Sequence, residues 1–256
     1  MITFFTCPRP FEGEFVKLQR TAIQSWMTAV PGCEIVFFEE FRSDTMAGWD
    51  FKKDNGIGSR AVEYNDAGTP LINSAFTMIE LFGLYTHNRN QLMWHHDHDL
   101  LCYISADIIL GGDFQFTLEA ISDIERPFVI GQRWDIDRDA PVNTAVLHDP
   151  AGIDYFIYRR GTLGEIPPFA VGRTAYDNWL VWAAVEKWGM TVIDATHDIT
   201  AIHVNHGYPG FDTKAEFRST QEVAENRRLF RESGASAYGV KHAPFVLVNG
   251  EVKERE

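Results

Sequence analysis

Three observations predict an α/β protein built on a mixed but mainly parallel sheet flanked by helices. Residues 100–110, Leu-Leu-Cys-Tyr-Ile-Ser-Ala-Asp-Ile-Ile-Leu, are almost wholly apolar without alternation, the pattern of a strand buried on both faces. The first forty residues read as one βαβ unit, and short apolar strands alternate with helical patterns along the rest. No internal repeat or low-complexity linker interrupts the 256 residues, so a single domain is the economical reading.

Ile2–Thr6 is a short strand. Phe15, Leu18, Ala22 and Trp26 at helical spacing predict a helix over 14–29, ended by Pro31-Gly32. Ile35–Phe38 is its parallel neighbour, and 41–60, with Gly48, Gly56 and Gly58, reads as a long loop. Ala61–Tyr64 suggests a strand. Gly68-Thr69-Pro70 then predicts a helix start with Thr as cap and Pro in the first turn, its apolar side carrying Leu71, Ala75, Phe76, Ile79 and Phe82. After the 100–110 strand, Phe116–Ile124 suggests a helix and Phe128–Gly131 a strand. Residues 136–147 show no clear pattern, and Tyr155–Tyr158 reads as a strand. A helix over 174–188 closes at Gly189, Val192-Ile193 and Ala201–Val204 are short strands, and 214–232 is a polar surface helix.

A formal net charge of −13 argues against a nucleic-acid-binding face, which needs a basic patch. It leaves room for a phosphate-bearing small ligand, because a metal supplies positive charge locally. Cys7, Cys33 and Cys102 lack CxxC spacing and read as buried, reduced thiols. The N-terminus lacks the basic and apolar regions of a signal peptide, and no apolar run approaches the roughly 20 residues of a membrane span. A cytoplasmic location and no membrane span are expected.

Four stretches could carry chemistry. Asp107 sits in the apolar 100–110 run, where a charge requires a partner or a metal. It must emerge where the strand leaves the core, or else cap a turn or pair with an Arg. At Thr174-Ala-Tyr-Asp177, the spacing alone favours a helix-capping box. An acid, an Asn and a Trp at one helix N-terminus could equally offer an acceptor site with a general base. His203 and His206, beside Asn205, could ligate a cation or bond a phosphate, although lone His residues are usually structural. His95-His96-Asp97-His98-Asp99 precedes the buried strand, at the end away from the usual ligand side of such sheets, and reads as a solvated turn.

Taken in order, these motifs resemble those of GT-A-fold, nucleotide-sugar-dependent glycosyltransferases of the family 2-like kind. The residues concerned are Ile2–Pro8, Gly68–Leu71, Tyr103–Ile109, Gly172–Trp179, and Ile193–Thr196 leading to His203 and His206. The resemblance covers about residues 1–210 and implies a Rossmann-like GT-A domain. In it, about 1–110 would be the nucleotide-binding half, about 111–212 the acceptor half, and 213–256 a surface helix and tail. It implies that Thr6 and Pro8 border the nucleobase, with Glu39 or Glu40 on base or ribose. Arg60 and the turn from Asn65 to Thr69 would lie near the donor. Ser105, Ala106 and Asp107 would stand for the family's DxD motif, with Asp107 ligating Mn²⁺ or Mg²⁺ on the diphosphate. Ser105 departs from that pattern, so His203 or His206 would share the metal. Asp177 falls where inverting members hold the general base, and Trp134, Tyr176 and Trp179 become candidate acceptor platforms.

The implied activity is inverting transfer from a nucleoside-diphosphate sugar, by default a UDP-sugar, to a glycan or other hydroxyl acceptor. Two alternatives stay open: a sugar nucleotidyltransferase, and a non-catalytic nucleotide-sugar or glycan-binding protein with a decayed metal site. The segment Thr6-Cys-Pro-Arg-Pro-Phe-Glu-Gly, with one Gly and no Lys before Lys17, speaks against the former. Ser105 keeps the latter alive.

Overall fold

The computed structural model describes residues 2–38, 57–82, 99–112, 114–208 and 210–256. It is an α/β fold with a large, mainly parallel sheet. Strands β1 (Ile2–Thr6), β2 (Glu34–Phe38), β3 (Ile57–Arg60) and β4 (Leu100–Ile104) open it, with α1 (Gly13–Ala29) linking β1 to β2 and α2 (Ile72–Phe82) lying between β3 and β4 in sequence. Beyond them come β5 (Ile108–Gly112), α3 (Phe114–Ala120), β6 (Pro127–Ile130), β7 (Arg133–Ile136), β8 (Val146–Leu147) and β9 (Tyr155–Arg159). The chain continues through α4 (Tyr176–Trp182), β10 (Thr191–Asp194), β11 (Ile199–Val204), α5 (Lys214–Arg218), α6 (Gln221–Glu232), β12 (Phe245–Val248) and β13 (Glu251–Glu254).

The main sheet has the order β13-β12-β10-β6-β9-β4-β1-β2-β3. β1 runs parallel to β2 and β4, β2 to β3, and β10 to β6 and β12. β9 is antiparallel to both β4 and β6. Successive β1 residues serve opposite faces: Phe4 packs with Trp26 of α1, Phe5 with Phe76 of α2. Both are fully buried, which is why such strands lack polar alternation. A second sheet has the order β5-β11-β7-β8.

The apolar 100–110 run is two strands rather than one. β4 belongs to the main sheet and β5 to the second, and Ser105–Asp107 turns the chain between them. Ser105 N donates to Asp154 O at 2.9 Å, and Ile108 N to Ser105 O at 3.0 Å. Apolar composition could not reveal the break, because both pieces are core.

Other boundaries moved. The expected strand at 61–64 lies instead at β3, leaving only a bridge from Tyr64 to Pro70. Thr69 and Pro70 precede α2 without capping it, since Pro70 and Leu71 make bridges to Tyr64 and Ala170. Expected 116–124 became the shorter α3. The 214–232 helix breaks at Ser219-Thr220 into α5 and α6, because Thr213 and Thr220 each accept a first-turn N–H. β7 and β8 lie in or beside the unpatterned 136–147 stretch. The hairpin β12–β13 was not anticipated, although Asn249-Gly250, both at positive φ, is a strong hairpin signal. Gly131 follows β6 because any Cβ there would stand 2.0 Å from Tyr155 Oη.

Candidate active site

The Ser105–Asp107 turn puts Asp107 on the wall of a cavity of about 490 Å³. The wall is built from the segment after β1 (Cys7 to Pro10), the first half of α1, the turn Gly68–Pro70, the surroundings of Asp107, Arg133 and His203, and the segment Val171–Asp177. Asp107, His203 and His206 each present a ligand atom within 4.8 Å of the others, a possible metal site. His206 Nε2 lies 3.0 Å and His203 Nε2 3.7 Å from Asp107 Oδ2. β11 pairs with β5 through His203 and Ile108, so the ladder that splits the apolar run also brings His203 beside Asp107.

The donor set fits a divalent cation. His206 Nδ1 lies 2.8 Å from Gly207 O, and because a carbonyl only accepts, Nδ1 carries the proton. Nε2 then faces a carboxylate oxygen, an arrangement that needs a second proton or a cation between the two. In the cation-free protein the hydrogen bond to Asp107 raises His206's proton affinity. Burial lowers that of His203, against the pull of Asp107. Burial would raise Asp107, but His206, His203 and Arg9 hold it down to about 2. His203 Nδ1 is buried without a hydrogen bond and lies 3.5 Å from Asp135 Oδ1, a carboxylate positioned to orient the ring. Asp135 is held in turn by Arg133 at 2.9 Å and by His148.

Asp177 shares this cavity wall with Asp107, His203 and His206. The capping box that its spacing favours is absent. The residue before α4, Ala175, has φ 90°, and no side chain caps the helix. Thr174 Oγ1 and Asp177 Oδ1 are both shut from water without a hydrogen-bond partner. Burial pushes the Asp177 carboxyl up to about 7; the Asn178 backbone N–H opposes the rise and the Asp154 charge reinforces it.

The remaining expected residues divide. Pro8, Ser105, Ala106 and Tyr176 line the cavity. Thr6 is fully buried one residue short of it. Asn65 is spent on its own turn: Oδ1 accepts from Ala67 N and Thr69 N, while Nδ2 donates to Glu222 at 2.8 Å. Arg60 closes β3 opposite Phe38. Glu39, Glu40 and His95–His98 lie outside the described residues. Two expected acceptor platforms are not on this wall. Trp179 is fully buried and donates to Ser233 Oγ at 2.8 Å, and Trp134 of β7 pairs with Leu147 and Ile202. Helical spacing could not separate an aromatic facing the cavity from one facing the core.

Sequence reasoning missed Arg9, Arg133, Asp154 and Arg173, all on the wall. Arg9, between Pro8 and Pro10, and Arg173, beside Gly172, were visible signals. Arg133 and Asp154 sit in segments with no motif. Cys7 also faces the cavity, but burial pushes its thiol up to about 12, so it stays neutral. A larger groove of about 1040 Å³ between α1, β5 and α3 holds none of the expected site residues.

No family model matches the chain, and no curated protein matches it in sequence. Solved structures resemble it in shape. One is a protein assigned as a nucleotide-diphospho-sugar transferase from Desulfovibrio desulfuricans G20, at 14% identity and TM-score 0.47, covering 90% of this chain and 96% of that one. Another is assigned as a glucose-1-phosphate thymidylyltransferase from Bacillus anthracis, at 10% identity and TM-score 0.49, covering 89% and 95%. S. aureus TarS (residues 1–349) is similar at 11% identity and TM-score 0.45, covering 91% and 73%. Among the described residues, no helix is long and apolar enough to cross a membrane.

Proposed function

We propose that the protein is a metal-dependent, inverting glycosyltransferase that moves a sugar from a nucleoside-diphosphate sugar, by default a UDP-sugar, to a glycan or other hydroxyl acceptor. The observation that carries this is Asp177, a carboxyl held near neutrality with a shielded, unpartnered oxygen, in one cavity with Asp107, His203 and His206. A base must be ionised to take a proton and basic enough to want it, and a value of about 7 meets both demands.

In the reaction the acceptor oxygen forms a bond to the donor's anomeric carbon. The bond from that carbon to the diphosphate oxygen breaks, and its electron pair leaves with the diphosphate. The acceptor proton passes to Asp177. Asp107, His203 and His206 would hold the cation, which when bound neutralises charge on the departing diphosphate. One carboxylate and two imidazoles suit Mn²⁺ better than Mg²⁺, which prefers oxygen donors. Of the three expected acceptor platforms, Tyr176 is the one that lines the cavity, beside Asp177.

Nucleotidyl transfer fits less well. There the nucleophile is a phosphate oxygen already charged, which needs cations rather than the base Asp177 offers. The test is incubation with a panel of nucleotide sugars and Mn²⁺, following donor turnover and melting temperature. One donor is expected to be consumed and its nucleotide to protect the fold. Neither effect at millimolar ligand would sink the reading.

A further inference from the structure

Among the described residues, three arginines and three aspartates line the cavity, so with its two histidines uncharged the formal charges of the wall balance, in a chain of net charge −13. Two of the arginines are committed. Arg133 holds Asp135 and Asp154, each at 2.9 Å. Arg173 holds Glu222 at 2.6 Å and lies over the Phe217 ring. Among the described residues, Arg9 has no carboxylate within ion-pair reach. Its guanidinium rests on the Phe15 ring, 5.0 Å from the centroid, and the His206 ring meets the same Phe15 ring edge to face at 5.3 Å.

The placement is built. The Gln19 side chain, 1% exposed, accepts from Arg9 N at 2.9 Å and donates to Arg9 O at 3.1 Å. A buried amide with both ends spent on one loop residue fixes where that residue's side chain begins. Burial weakens the guanidinium's hold on its proton, the Asp107 charge strengthens it and the Arg173 charge weakens it. Arg9 therefore stands within the fields of both the metal-binding carboxylate and a second guanidinium.

We propose that Arg9 binds the terminal phosphate of the nucleoside diphosphate, supplying the second positive group that the single carboxylate beside Ser105 leaves room for. This rests on the glycosyl-transfer reading. A divalent cation neutralised by Asp107 alone keeps one net positive charge, because both other ligands are neutral imidazoles. A leaving nucleoside diphosphate carries more negative charge than that. A guanidinium one aromatic ring away from His206 offsets more of it, and its planar fork suits two phosphate oxygens.

The test is titration calorimetry with Mn²⁺, using whichever of UDP, CDP, GDP and ADP binds the wild type most tightly, together with its monophosphate. Bound Mn²⁺ alone is followed by electron paramagnetic resonance. Arg9→Met leaves an unbranched side chain in place beside Phe15 and removes the charge. It is expected to weaken diphosphate binding about 10- to 100-fold, as loss of a charged hydrogen-bonding group does. Monophosphate and Mn²⁺ affinities should stay within about threefold of wild type by the same reasoning. Arg9→Lys should lose less than Arg9→Met. Wild-type diphosphate affinity in Arg9→Met, or an equal loss for the monophosphate, would overturn the assignment while leaving the transferase reading standing. A wild type that binds none of the four diphosphates would remove both.

Discussion

The proposed role of Asp177 and its burial make opposed demands, and both are measurable. As the proposed base it must be ionised, so the transfer rate is expected to climb as pH rises through about 7. As a buried acid it favours its proton. Its folded value lies above that of an unfolded Asp, near 4, so the stability it contributes is complete below that unfolded value. That contribution is lost as pH rises through about 7. Asp177→Asn never ionises. Its melting temperature should therefore gain on wild type between pH 5 and pH 8, while transfer disappears. A variant that tracks wild type in melting at both pH values would contradict the assigned environment. Asp107 was legible because a charge among apolar residues demands a reason. Asp177 was only half legible, since its spacing from Thr174 also writes a capping box. What decides between them is the φ of Ala175, which composition does not encode.

Among the elements, α4 has the most informative start. Ala175 holds a left-handed backbone at φ 90°, which costs a residue with a side chain about 1–2 kcal/mol. The turn is retained with no cap to compensate, and it aims the first residues of α4 at the cavity. Ala175→Gly removes the strain but loosens the unfolded chain, so urea melts should show a stability gain of up to about 1 kcal/mol. The rate should fall, because Asp177 loses its fixed direction. A stabilised variant with full activity would show that the strain is unrelated to the site. Strands buried on both faces were read readily from unbroken apolar runs. β7, Arg133–Ile136, escaped because this four-residue strand between β11 and β8 carries Arg133 and Asp135, and no apolar run marks it. Missing β12–β13 was a different failure, since the Asn249-Gly250 signal was present between two strand-like segments.

At the scale of the molecule, the two sheets meet where the candidate site lies, and the C-terminal hairpin is tied back toward it. Arg255 donates to Asp194 at 2.7 Å, to Val240 O at 3.0 Å and to Ala243 O at 2.8 Å. Asp194 accepts from Thr196 N at 3.0 Å, and Thr196 Oγ1 accepts from Gln132 N at 2.9 Å, one residue before Arg133. Arg255→Ala should cost about 2 kcal/mol by chemical denaturation, the scale for losing a charged hydrogen-bonded group. An unchanged midpoint would mean the hairpin is held by its strand pairing alone. Motif order along the chain pointed to the cavity, but Arg133 and Asp154 on its wall come from the start of β7 in the second sheet and from the residue before β9 in the first.

The proposed mechanism divides labour within one cavity, with Asp107 holding the donor through a bound metal and Asp177 taking the acceptor proton. It is tested most directly by measuring donor binding and turnover side by side in Asp107→Ala and Asp177→Ala, with the preferred nucleotide sugar and Mn²⁺. Asp107→Ala is expected to lose metal-dependent donor binding, while Asp177→Ala binds donor as wild type does and transfers nothing. A fully active Asp177→Ala enzyme, or undiminished Mn²⁺-dependent binding in Asp107→Ala, would contradict it.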